Sequence, residues 1–139
     1  MISNYILPKQ SLNPAFLKQK PERNEIELFK KELILLLDRI KDGESEEHHK
    51  NLLTSFLNSV YYQKKYYINT KEKADLVIHN GNDANSSVGV LIEVKSPTNK
   101  AEMVSHDKLN VKSFQELVLY YSIISGREKK VKTLNFAIL

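Results

Sequence analysis

Two apolar segments separated by a polar turn constrain the fold of this chain more than any other feature. Residues 74–79 and 88–95 are rich in Val, Ile and Leu, and residues 80–87 contain only turn formers and one alanine. Apolar segments that flank such a turn predict two adjacent antiparallel strands. A further strand predicted at 64–70 precedes them. The chain from Tyr67 to Lys95 is therefore expected to form a β-meander.

Segments with helical periodicity lie on both sides of the meander. Apolar residues recur at helical spacing in residues 24–41, 46–60 and 107–124. The wide apolar face of the first segment predicts a buried helix. A strand predicted at 133–139 follows the third helix. A crossover helix of this kind places the next strand parallel to its neighbour in the sheet.

Residue types at the helix ends predict where the helices begin and stop. Asn24 with Glu27 resembles a capping pair for the first helix, Ser45 is expected to cap the second, and Gly126 to end the third. The third helix is expected to bury Phe114, Leu117, Val118 and Tyr121. The prediction is one α/β domain, with an irregular arm at 1–21, a core at 24–124 and a final strand at 133–139.

Composition narrows the class of protein further. A length of 139 residues suits one domain, and the absence of cysteine excludes disulfides and thiolate metal sites. No apolar run has the length of a membrane span, and residues 1–20 lack a signal-peptide core, so we expect a cytoplasmic protein. The formal charge of +4 is compatible with a nucleic-acid partner.

Three charged residues interrupt the apolar strands of the meander. Side chains alternate along a strand, so Glu93 and Lys95 share one face at the end of their strand. Asp75 begins the neighbouring strand, and antiparallel pairing brings it beside them. Taken alone, Glu93-Val94-Lys95 would be explained as a surface ion pair at the end of a strand. Taken together with Asp75 on the neighbouring strand, the hairpin favours a catalytic site.

Such a site suits phosphodiester hydrolysis that depends on Mg²⁺. Mg²⁺ keeps several waters and needs only one or two carboxylates, which Asp75 and Glu93 would supply with the backbone carbonyl of Val94. Mn²⁺ would substitute for it. Lys95 would orient the attacking water or stabilise charge on the phosphate.

The same residues resemble the PD-(D/E)XK nuclease superfamily. Ala74-Asp75 occupies the PD position, with Ala where the signature has Pro, and Glu93-Val94-Lys95 matches (D/E)XK. More narrowly, the chain is similar to the N-terminal nuclease domain of type IIG restriction-modification enzymes. That similarity lies in Ser11–Leu17, Glu46–Leu57, Thr70–Asn80, Glu93–Met103 and Phe114–Tyr121.

The resemblance implies a restriction-endonuclease-like core and an endonuclease that acts on double-stranded DNA. In type IIG enzymes a methyltransferase and a target-recognition region follow on the same chain, and neither is present in these 139 residues. We therefore expect an excised domain or a truncated gene product, which would work with such a module in cis or in trans. A dimer is one assembly that the resemblance allows.

Further site residues come from the helices. Superfamily members often carry a Glu on the first core helix, for which Glu46 and Glu47 are the candidates, with Glu46 better placed. Both acids also suit a helix N-terminus without any catalytic role. Related nucleases have Gln-x-x-x-Tyr on the later helix, which makes Gln115 a candidate although its spacing to Tyr120 is off by one. The four histidines show no ligand spacing.

Two other functions remain open at this point. A domain of the same fold without turnover would bind DNA or a partner. A self-standing repair or junction nuclease would act on branched or single-stranded DNA without other subunits.

Overall fold

A computed structural model describes residues 7–62, 65–105, 107–127 and 135–138. The helices are α1 (Pro8–Ser11), α2 (Pro14–Lys18), α3 (Arg23–Arg39), α4 (Glu46–Leu57) and α5 (Lys112–Arg127), with a π-helical turn (Asn58–Tyr62) after α4. The strands are β1 (Ile68–Lys71), β2 (Ala74–His79), β3 (Val88–Glu93) and β4 (Asn135–Ile138). Among these residues no helix combines the length and the apolar character needed to cross a membrane.

The four strands form one mixed sheet in the order β1-β2-β3-β4. The first three pair antiparallel, with Leu76 opposite Ile92, and β4 pairs parallel to β3. The α/β class, the meander and the parallel strand after a crossover helix are therefore confirmed. Two strands are shorter than predicted, because β1 begins at Ile68 and β3 ends at Glu93.

Each face of the sheet is covered by a different helix. On one face, Leu117 and Ile124 of α5 form a buried cluster with four residues of the sheet, Ala74, Val77, Val88 and Leu91. On the other, Leu53 and Leu57 of α4 pack on Ile68, Leu76, Ile78, Ile92 and Val94. Strand alternation accounts for this division except at Ala74, which lies on the same face as Val77, and at Val88, which we expected beside Val90. The register shifts between Ile78 and His79, and this irregularity turns Val88 to the α5 side.

Helix α5 buries Leu117 as predicted, but the rest of its inner face differs from the prediction, and the helix continues past Gly126, which was expected to end it. It runs from Lys112 through Gly126 to Arg127, and Leu117 and Ile124 are buried within it. The predicted core residues Val118 and Tyr121 are exposed. The segment from Leu117 to Tyr121 is apolar throughout. Its periodicity therefore did not determine which side faces the core.

The prediction that the first long helix is buried was wrong. Helix α3 contains no buried residue, and its Ile34 and Leu37 are each 59% exposed. Its inner side rests on α4, where the rings of Phe29 and Phe56 meet edge-on at 5.9 Å. One helix neighbour covers only one side of a helix whose apolar residues extend around it. The other side is left in solvent.

Capping explains where the helices begin. The Asn24–Glu27 pair does not cap α3; instead the Glu22 amide donates to Glu25 Oε2 at 2.8 Å and the helix starts one residue earlier than predicted. Ser45 caps α4 as predicted, since its Oγ accepts from the His48 amide at 3.1 Å. The N-terminal arm is less irregular than expected, because Pro8 and Pro14 each open a short helix in α1 and α2.

We predict that two adjacent residues of α5 differ sharply in their contribution to stability. Leu117 is 1% exposed and Val118 is 46% exposed. Leu117→Ala should lower the free energy of unfolding by about 2–5 kcal/mol, because it leaves a cavity in the core. Val118→Ala should change it by less than about 0.5 kcal/mol. Urea denaturation measures both, and equal losses would contradict the observed helix face.

Candidate functional site

The sheet brings together the three charged residues singled out in the sequence. Because Leu76 lies opposite Ile92, Asp75 lies at the level of Glu93 on the neighbouring strand. Asp75 Oδ2 accepts a hydrogen bond from the Val94 amide at 2.9 Å. Lys95 follows the end of β3, and its Nζ lies 2.6 Å from Glu93 Oε1. The antiparallel register and strand alternation together produce this convergence.

A fourth charged residue, Glu116 of α5, joins them. Its Oε2 accepts a hydrogen bond from Lys95 Nζ at 2.9 Å, so one ammonium group binds two carboxylates. We call Asp75, Glu93, Lys95 and Glu116 the charged cluster. Sequence reasoning missed Glu116, although it precedes Tyr120 by four residues and so has the Glu-x-x-x-Tyr spacing that Gln115 lacks.

Gln115 does not lie in the charged cluster. Its side chain is exposed, and its Nε2 donates to Asn110 Oδ1 at 2.8 Å. The reason is the orientation of α5. With Leu117 buried against the sheet, Glu116 lies on the side toward Lys95, and the preceding residue turns to solvent.

The centre of the charged cluster is buried. The side chains of Glu93 and Lys95 are 4% and 6% exposed, and that of Glu116 is 27% exposed. Burial raises the pKa of Glu93 to about 7; the negative charge of Asp75 adds to this, while Lys95 opposes it. Glu93 thus titrates near neutral pH.

The partners of Glu93 shift in the directions expected for ion pairs. Burial by itself would lower the pKa of Lys95, but hydrogen bonds to Glu93 and Glu116 raise it above its ordinary value. Burial by itself would raise the pKa of Glu116, but hydrogen bonds with Lys95 and Glu93 and the positive charges of Lys95 and Lys112 together outweigh it, and the pKa is lowered. Lys95 is therefore fully charged at neutral pH, and Glu116 is its ionised partner.

Tyr120 borders the charged cluster from α5. Burial raises the pKa of its phenol, and the charges of Glu116, Glu93 and Asp75 raise it further. Its ring packs against the apolar core on the same face of the sheet. The hydroxyl is therefore neutral at neutral pH.

One oxygen of the charged cluster has no hydrogen-bond partner. Glu93 Oε2 is buried and receives no donor from the described residues. The neighbouring Glu116 carboxylate is itself an acceptor, so the two acids can bond directly only when one is protonated. A buried carboxylate oxygen without a donor is costly unless it has another ligand.

Two residues of the charged cluster have the carboxylate oxygens that a magnesium ion prefers. Asp75 and Glu93 offer two carboxylates, one with the unpartnered buried oxygen, and Mg²⁺ needs no more than that with its waters. Within residues 7–62, 65–105, 107–127 and 135–138, no group of three or more His, Asp or Glu side chains is gathered closely enough to hold a metal. The donors that these residues offer a metal are therefore the two carboxylates of Asp75 and Glu93.

Helix α4 brings Glu46 to the edge of the charged cluster. Glu46 Oε1 accepts from the Ser96 amide at 3.4 Å, directly after Lys95 in the chain. Glu47 is turned outward and forms an ion pair with Lys50. The structure therefore separates the two acids, with Glu46 beside the site and Glu47 in solvent.

The histidines lie apart from this arrangement. His79 is fully buried, and its ring nitrogens lie 2.6 Å from the Ser86 carbonyl oxygen and 2.9 Å from Asn69 Oδ1. It therefore holds the turn after β2 in place. His49 is buried in α4, and neither ring nitrogen has a partner among the described residues. His106 lies outside the described residues.

Fold and site define a mixed α/β domain with a buried acid–lysine cluster at the end of a strand pair. The chain belongs to the family described as "Domain of unknown function (DUF7149)", which matches residues 6–136. No curated protein and no solved structure matches it.

We predict that removing the Lys95 ammonium is strongly destabilising. Lys95→Met keeps most of the apolar stem but leaves two carboxylates facing each other, one of them buried. The expected loss at pH 8 is about 3–5 kcal/mol, and it should shrink in acid as a proton replaces the ammonium. The matched control is Lys112→Met, because Lys112 is 58% exposed in its pair with Glu102. This control should cost at most about 1 kcal/mol. Similar losses in both would contradict a buried cluster.

We also predict a pH dependence that comes from Glu93. Its pKa is raised from 4.5 to about 7, so the folded state holds this proton more tightly than the unfolded state. The stability that Glu93 contributes is therefore complete below pH 4.5 and falls as the pH rises to about 7. Unfolding of the wild type and of Glu93→Gln, measured from pH 4 to pH 8, should show the variant gaining relative stability with pH. A constant difference would contradict the raised pKa.

Proposed function

We propose that this domain is a DNA endonuclease that depends on Mg²⁺ and has a restriction-endonuclease-like core. The observation that carries the proposal is the buried charged cluster, in which Asp75, Glu93 and Lys95 meet at the ends of two paired strands. The resemblance to the PD-(D/E)XK superfamily supports it, because these are the residues that match the signature. The meander, the crossover helix and the parallel strand are compatible with such a core.

Each residue of the charged cluster has a role in this proposal. Asp75 and Glu93 would hold Mg²⁺, with the backbone carbonyl of Val94, and the ion would supply Lewis-acid polarisation of the scissile phosphate. Mn²⁺ would take the same ligands. Glu46, at the start of α4, would contribute through a water at the edge of the site.

Lys95 would act on the nucleophile or on the phosphate. Its ammonium has three donors, and Glu93 and Glu116 take two of them. The third can donate to a water or to a phosphate oxygen. Attack of that water on phosphorus forms one P–O bond and breaks the bond to the leaving sugar oxygen, while the water gives up one proton to solvent and the leaving oxygen takes one up. Lys95 would stabilise the negative charge that develops on the phosphate.

Glu116 and Tyr120 would position Lys95. The ion pair with Glu116 keeps the ammonium charged and fixes its direction. The phenol of Tyr120 lies close to the same carboxylates. Neither residue would need to touch the DNA for its loss to reduce the rate.

The partner in this proposal is double-stranded DNA in the cytoplasm. The net charge of +4 favours attraction to phosphates without selecting a sequence. We propose that a methyltransferase and target-recognition module, in cis or in trans, selects the site of cleavage. This division of tasks follows from the resemblance to type IIG enzymes.

A second candidate is a domain of the same fold that binds DNA or a protein partner without turnover. It is favoured by the geometry of Lys95, whose ammonium already neutralises Glu93 and Glu116. A buried ion network of this kind can be purely structural. Calorimetric titration with Mg²⁺ or Mn²⁺ in the presence of DNA separates the candidates, since only the endonuclease requires the metal to bind.

We predict that nicking of plasmid DNA requires the charged cluster. With Mg²⁺ or Mn²⁺, Asp75→Asn and Lys95→Met should each reduce the rate by about 100-fold or more. Asp75→Asn removes the charge of a metal ligand, and Lys95→Met removes the ammonium that would stabilise the phosphate. Gel electrophoresis of supercoiled plasmid measures the nicking rate. Because Lys95→Met is also expected to lose stability, circular dichroism under the assay conditions must show that each variant is folded.

The adjacent acids of α4 provide a matched control. Glu46→Ala should reduce nicking, whereas Glu47→Ala should leave the rate unchanged, because the exposed Glu47 pairs with Lys50 and not with the charged cluster. Equal rates for the wild type, Asp75→Asn and Lys95→Met would exclude this site as the source of any nuclease activity.

A further inference from the structure

A second lysine, Lys112, lies one helical turn from the charged cluster. Lys112 begins α5 and Glu116 follows it by four residues, so their side chains share one side of the helix. The positive charge of Lys112 contributes to lowering the pKa of Glu116, as expected for neighbouring groups. Glu116 in turn binds Lys95 at 2.9 Å. Lys112 therefore borders the charged cluster from the side of α5.

The ammonium of Lys112 is held by an exposed ion pair with Glu102. Its Nζ lies 3.2 Å from Glu102 Oε2 and 3.5 Å from Oε1, and the Lys112 side chain is 58% exposed. Exposed ion pairs are weak, and breaking one changes an equilibrium constant by a factor of about five at most. The ammonium can therefore exchange Glu102 for another anion at little cost.

The main chain fixes Glu102 beside Lys112. Ser113 is fully buried, and its Oγ and its amide both donate to the Glu102 carbonyl oxygen, at 2.5 Å and 3.3 Å. These two bonds hold the backbone of Glu102 against the first turn of α5. Its side chain is 29% exposed. Rotation of that side chain is therefore enough to release Lys112, and the loop does not have to move.

The charges around Lys112 indicate which anion it would take. The charged cluster contains three carboxylates and one ammonium, so by itself it does not attract a phosphate. Lys112 places a second ammonium beside it. A lysine on a flexible stem acts as a point charge, which suits a backbone phosphate of any base sequence. The position of Lys112 thus favours a phosphate that lies next to the charged cluster.

We propose that Lys112 binds a backbone phosphate of double-stranded DNA beside the charged cluster, and that Glu102 competes with this phosphate for the ammonium. The inference rests on the DNA partner of the proposed function and does not depend on cleavage. In the free domain the Glu102 carboxylate occupies the ammonium, and it also repels an approaching phosphate. Glu102 therefore limits the affinity of the domain for DNA.

The two members of this ion pair should change DNA binding in opposite directions. Lys112→Met should weaken binding of the full chain to a labelled duplex about fivefold at 0.1 M salt, and should reduce the dependence of log affinity on log salt by about one unit of slope. Glu102→Gln should tighten binding about threefold, because it removes the competing anion. Fluorescence anisotropy without divalent metal measures both. A purely structural ion pair predicts losses in both variants, and a loss of folding cannot raise the affinity.

The exposed pair of Lys30 with Glu27 on α3 supplies matched controls. Its atoms lie 3.3 Å apart and both side chains are 60% exposed. Lys30→Met and Glu27→Gln change the net charge of the chain by the same amounts as the test variants. Each should change the affinity less than twofold, because α3 packs on α4 and not on the charged cluster.

The possible outcomes separate this inference from the proposed function. A wild type that does not bind DNA would overturn both. Binding by the wild type without a gain in Glu102→Gln, or with the same salt dependence in Lys112→Met as in Lys30→Met, would overturn only the role of Lys112 and Glu102. Nicking by the wild type and by Asp75→Asn would still test the endonuclease.

Discussion

The arrangement of this domain depends on the two ion pairs that the buried Lys95 ammonium forms. This ammonium lies where β3 ends, and it binds one carboxylate from the sheet and another from α5. A buried charge is unfavourable unless it is paired, so this group requires both helix and strand to be in place. It therefore couples the docking of α5 to the geometry of the candidate site.

One hydrogen-bond acceptor in the charged cluster has no donor among the described residues. Glu93 has one oxygen on Lys95 and one with no donor, and its pKa is raised to about 7. The unpartnered oxygen is the feature that most favours a metal or a substrate group at this position.

The two faces of the sheet contribute to the site in different ways. Helix α5 covers the face that bears the charged cluster and adds Glu116 and Tyr120 to it. Helix α4 covers the opposite face, and its N-terminus reaches the end of β3 through Glu46. Helix α3 packs on α4 and leaves Ile34 and Leu37 in solvent.

Sequence patterns that span only a few residues determined the structure of the hairpin formed by β2 and β3. Strand alternation and the polar turn were enough to place Asp75, Glu93 and Lys95 on one face, because these relations span few residues. Contacts between distant segments decided the rest. The apolar segment Leu117–Tyr121 is compatible with several helix orientations, and only packing on the sheet selected the one that brings in Glu116 and excludes Gln115. The exposure of α3 was likewise decided by how many elements pack around it, which hydrophobic periodicity does not record.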